Sequence, residues 1–119
     1  MKFSEMPYER PDLEGLKQTL AELTRRLKAA AGFDEARAVF LEKEEVQRHI
    51  DTLATLASIR NSIDTRDAFY DGEMTFWNAA GPELEEYLKA WTAAMLASPF
   101  RKDFEAEYGD LMFVNAEIE

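Results

Sequence analysis

Cysteine is missing from this 119-residue chain. Disulfides and thiolate metal sites are therefore excluded, and a cytoplasmic setting is favoured over an oxidising one. Long apolar runs are missing too. None approaches the ~20 residues that a membrane-crossing helix needs, and no basic segment followed by an apolar one opens the chain as a signal peptide would. Glycine and proline number only 5 and 4, and they fall singly or in pairs, as punctuation. No Gly-rich phosphate loop, nucleophile elbow, HExxH zinc motif, internal repeat or low-complexity tract occurs. A catalytic centre is hard to assemble from what is left.

What is present is apolar side chains and acid. Hydrophobic residues make up 46% of the chain and aromatic ones 12%, enough for one folded domain with a modest core. The net charge is −10, and residues 61–119 carry 4 basic against 13 acidic side chains. Nearly all the excess thus sits in the second half. Such a surface repels phosphate backbones, so neither nucleic acid nor a membrane is expected as a partner. The plainest meaning of the acid is a solvated helix exterior.

Residues 1–11 contain Pro7 and Pro11 beside isolated apolar side chains, Met1, Phe3, Met6 and Tyr8. This predicts an extended lead-in that docks on the domain or on a neighbour. A helical domain follows over 12–119, with helices at about 12–31, 34–60, 65–80, 82–97 and 99–108. In the first, Asp12 is the cap, Leu13, Leu16, Leu20, Leu23, Leu27 and Ala30 form a stripe against a single neighbouring helix, and Gly32 is a left-handed stop. In the second, Asp34 is the cap and Phe33 a hydrophobic staple. Val39, Val46, Ile50, Leu53 and Ala57 line its seam, with Lys43 interrupting. From Leu53 onward Ala54, Leu56 and Ile59 make it apolar most of the way round, so this half is expected at the centre of the domain.

The pattern breaks at Asn61-Ser62, and Asp64 or Thr65 caps a third helix rich in aromatic side chains. Gly81-Pro82 is read as its stop and as the start of a fourth, whose stripe is Leu84, Tyr87, Leu88, Trp91, Ala94 and Met95. Ser98-Pro99 repeats the device before a short helix bearing Phe100, Phe104 and Tyr108. The final LMFVNAEIE resumes apolar character without a cap or breaker, which suggests truncation at the C-terminus. The fold class expected is all-α, an antiparallel bundle of four to five helices.

Two groups are weighed as sites. His49, the only histidine, has no companion at metal-ligand or acid–base spacing and is assigned no role. Asp64, Asp67 and Asp71 share one helix face and could attract a hard cation. Capping and solvation account for them better, because bundle metal sites draw ligands from several helices. No catalytic, cofactor-binding or metal-ligating residue is assigned.

Four stretches nevertheless resemble the beginning of the oligoendopeptidase F family, zinc metallopeptidases like thimet oligopeptidase. They are KFSEMPYERPDLE at the start, LATLASIRNSIDTRDAFYDGE from Leu53 to Glu73, GPELEEYLKA, and SPFRKDFEAEYGDLMFVNAEI. They come in the family's order and span nearly the whole chain. Where relatives often carry a His-Thr pair, this chain has Asn61-Ser62. The resemblance implies the N-terminal part of a larger all-helical peptidase that hydrolyses short peptides, with zinc bound far downstream. By that implication the segment is shell and channel wall, carries no active site or cofactor, and is inactive alone. Its partners would be the missing C-terminal catalytic domain, an oligopeptide substrate in the parent, and, for the isolated segment, other copies of itself. The alternative is a stand-alone acidic helical interaction or dimerisation module using the leucine stripe.

Overall fold

A computed structural model describes residues 8–64 and 66–109. Among them are four helices: α1 (Leu13–Ala29), α2 (Phe33–Ile63), α3 (Ala68–Leu96) and α4 (Arg101–Tyr108), and no strand. The all-α bundle is as expected. Met1, Phe3, Met6, Thr65 and the LMFVNAEIE end lie outside the described residues.

Short connections force α1, α2 and α3 antiparallel, and each touches the other two. Leu27 and Val39 meet at one end, while Leu20, Ile50 and Leu53 meet nearer the other. The stripe on α1 therefore lies between two helices, not against one as its leucine spacing predicted. Burial is also shared differently along α2. One apolar cluster joins Leu23, Leu27, Ala36 and Val39 to Trp91, Ala94, Met95 and Phe104. The other joins Leu20, Ile50, Leu53 and Ala57 to Trp77 and Leu84. The first half of α2 is thus as central as the second, because α4 folds back and brings Phe104 edge-on to Phe33, 5.0 Å between ring centroids. Lys43, the break in the seam, lays its stem along the core and sets its ammonium 5.8 Å from the centre of the Trp91 ring. Burial lowers its pKa.

The main correction concerns Gly81-Pro82. α3 runs unbroken from Ala68 to Leu96 with Pro82 inside it. Proline in a helix interior forfeits one hydrogen bond and crowds the carbonyl four residues back. Here that carbonyl belongs to Asn78, which is exposed, so water can satisfy it. On the opposite side Trp77, Ala80, Leu84 and Trp91 are all buried. A break would take that row off the core, at a greater cost than one bond.

The caps differ as well. Gly32 has φ −153° and precedes α2 as its N-cap; the only positive φ in the described chain is at Gly109. Asp34 consequently sits within the first turn of α2, and Asp12 precedes α1 without a side-chain capping bond. α2 continues through Asn61-Ser62, where Ser62 bonds back to the Ser58 carbonyl at 2.9 Å. The cap of α3 is Asp67, whose carboxylate accepts the Phe69 N–H at 2.9 Å. Ser98 accepts from the Phe100 N–H in a turn ahead of α4, and the helix itself begins at Arg101.

Candidate functional site

The most organised polar site joins the lead-in to α3. Glu73 lies one and two turns before Trp77 and Ala80, on the buried face of α3, and keeps only 3% of its surface exposed. A carboxylate so placed needs partners, and residues 8–10 bring them. Arg10 forks onto it, with Nε 3.1 Å from Oε1 and 3.0 Å from Oε2, and Nη2 2.5 Å from Oε2. The Tyr8 hydroxyl donates to Oε1 at 2.6 Å and accepts from the Trp77 indole N–H at 3.1 Å. The Arg10 guanidinium also stands over the Phe76 ring, 4.6 Å from its centre. Tyr8 packs on Phe69 and Tyr70, and Tyr70 accepts a hydrogen bond from Arg60 at 2.8 Å.

The electrostatics follow from the contacts. Arg10 beside Glu73 holds the carboxyl below the usual carboxylate range, with Tyr8 adding to the effect against burial. Burial and the neighbouring carboxylate push the Tyr8 phenol up to about 12. At neutral pH the group is therefore an ionised acid, a cation and a neutral phenol. Each carboxylate oxygen already meets two donor contacts, and the phenol both donates and accepts. Nothing in it is poised to take a proton from a substrate; it can fix the lead-in in place.

Beside it lies an open groove of about 550 Å³ whose walls are Glu9, Arg10, Pro11 and Asp12 from the lead-in, the first turns of α1, and His49 and Leu53 from α2. His49 is thus an exposed wall residue. The three aspartates stay apart in role. Asp64 accepts from the Arg66 N–H at 3.0 Å, Asp67 caps α3, and Asp71 is exposed in its first turn. Among the described residues no three His, Asp or Glu side chains gather as a metal site, so the zinc implied by resemblance finds no donor set on them. Nor is any described helix long and apolar enough to cross a membrane.

Sequence reasoning passed over Glu73, Tyr8 and Arg10. The available signal was the spacing of Glu73 with Trp77 and Ala80, which places an acid on an apolar row, together with a Tyr-x-Arg in the lead-in.

The family described as the peptidase M3 N-terminal domain matches residues 3–119. Among solved structures, an oligoendopeptidase F of Bacillus anthracis str. Ames, described as putative, superposes with a TM-score of 0.94 at 33% identity over 98% of this chain. A second structure described as a putative oligoendopeptidase F gives 0.94 at 33% identity over 98%. PZ peptidase A, solved with an inhibitor, gives 0.93 at 32% identity over 98%. The chain spans 21%, 21% and 22% of the PZ peptidase, the second oligoendopeptidase and the Bacillus protein respectively. No curated protein matches it.

Proposed function

This chain belongs to the peptidase M3 N-terminal domain family, and from that premise we propose that it forms the N-terminal helical part of a zinc-dependent oligoendopeptidase of the cytoplasm that hydrolyses short peptides. Its contribution is shell and substrate-channel wall. The observation that carries this is the superposition of nearly the whole chain on about a fifth of each of several peptidases. The partner is then the catalytic remainder of the parent, where zinc would activate water for attack on the peptide bond. The described residues take no part in that step. They hold a three-helix body and a pinned lead-in rigid beside it, which helps exclude folded substrates.

Deprived of that remainder, the segment is expected to associate with itself, since Ile63 and Phe69 leave 76% and 55% of their surface in water near the α2–α3 junction. Sedimentation at rising concentration tests this, and a strict monomer contradicts it.

The enzymatic reading is tested with a fluorogenic oligopeptide. The purified 119-residue chain should leave it intact. The same chain produced together with a family catalytic region should cleave it, and a zinc chelator should stop the reaction. Chelator-resistant cleavage by the short chain alone overturns the proposal.

A further inference from the structure

Two lysines of the helical body are covered to the same degree and end in opposite surroundings. The Lys17 side chain is 13% exposed and that of Lys43 14%. Lys17 sets its ammonium 2.8 Å from Glu83 and 3.2 Å from Glu14, and the hydrogen bond to Glu83 raises its pKa. Lys43 stands one turn of α2 after Val39 and one before Val46, so its stem leaves from the apolar row. From α3 it meets the ring of Trp91. Among the described residues the carboxylate closest to its Nζ is that of Glu44, at 3.9 Å and beyond hydrogen-bond reach. A ring face and one distant carboxylate replace poorly the water that an ammonium gives up. Burial therefore holds its pKa below the ordinary lysine value, against the pull of Glu44 and Asp51. The tip still comes out beside Glu44, whose side chain is 44% exposed.

We propose that Lys43 is an acyl-acceptor site, a modification site that takes a small acyl group from an uncharged thioester. An amine set against apolar surface and left without a close carboxylate is the form of lysine that acts as a nucleophile. The lone pair of neutral Nζ attacks the thioester carbonyl carbon. The C–N bond forms, the C–S bond breaks with its electron pair on sulfur, and the proton shed by the amine ends on the departing thiolate. The products are an amide on Lys43 and a free thiol. Glu42, Glu44 and Glu45 flank the site in the chain, so an anionic acyl phosphate is repelled where a neutral thioester is not. Acylation replaces a cation in the α2–α3 seam by a neutral amide and ends its attraction to the Trp91 ring. This inference stands whether or not the parent is a peptidase.

Competitive labelling with S-acetyl-N-acetylcysteamine, a neutral thioester, tests this when each lysine is followed by peptide mass spectrometry. Rates are divided by those of the same lysines in urea, which cancels local sequence effects. Lys43 should be acetylated several times faster than Lys17, its match in exposure. Its rate should also level off at a lower pH than that of exposed Lys28, because the rate follows the free amine. Glu44→Gln, an exchange at the surface, should speed Lys43 about twofold and leave Lys28 unaltered. Acetyl phosphate, an anionic donor, should show a smaller preference for Lys43 over Lys28. Equal rates at Lys43 and Lys17, or a Lys43 profile that levels off with or above Lys28, overturn the proposal. A Lys43 rate that Glu44→Gln leaves unchanged or lowers does the same, and an equal or larger preference with acetyl phosphate overturns the choice of a neutral donor.

Discussion

Glu73 is a surface residue by composition and a core residue by position, and its ionisation is linked to folding. Its folded pKa lies below the ordinary value, so the stability it contributes is complete above the usual carboxylate range and is lost as pH falls through the lower folded value. In urea titrations at a series of pH values, wild type should exceed Glu73→Gln near neutrality and converge with it in acid. The gap at neutrality should be about 1–3 kcal/mol, kept modest because Arg10 is half in water. Tyr8 works in the opposite sense: with its pKa raised to about 12, its contribution is whole below about pH 10, the ordinary tyrosine value, and fades as pH climbs through the folded one. Apolar residues were easier to place from the sequence. Leu56, assigned to the centre from its position on α2, is 1% exposed, and Leu56→Ala should cost roughly 2–5 kcal/mol in the same titration. The buried acid escaped because hydropathy carries the sign of a residue's preference but not the presence of a partner more than sixty positions away.

Helix existence was legible and helix ends were not. Periodicity follows from which side chains face the core, and the stripes mark the helical segments correctly even where the third and fourth join into one. Capping is a local contest between near-equivalent residues. Asp64 and Asp67 can each accept an orphan N–H, and the junction resolves in favour of Asp67. At Gly81-Pro82 the local vote was for a break and the tertiary vote won. The helix therefore carries a local penalty that can be relieved. Gly81 is exposed, with open space where a Cβ would go, so Gly81→Ala should raise thermal stability by about 0.5–1 kcal/mol. A loss on Gly81→Ala would mean that the native state uses flexibility at that turn.

For the molecule as a whole, two apolar clusters share three long helices and overlap only through partly buried side chains such as Val46. Substitutions in different clusters should add. The combined cost of Leu27→Ala and Leu53→Ala in denaturant titrations should equal the sum of the single costs to within about 0.5 kcal/mol. A larger discrepancy would reveal coupling through α2. Of this scale the sequence displayed the helical class and the acidic second half. It showed the apolar side chains of the short helix, Phe104 and Tyr108, but hid their return onto Phe33 and Phe40, because an apolar face does not say which distant helix will cover it. One consequence follows from the unbroken α3. At about 1.5 Å per residue its 29 residues make a strut some 40 Å long, comparable with the 50 Å long axis of the molecule. Two shorter rods meeting at Gly81-Pro82 could tilt separately. A single strut cannot, so a lateral push on the Phe104 end is delivered, lever-fashion, to the end where Glu73 grips the chain.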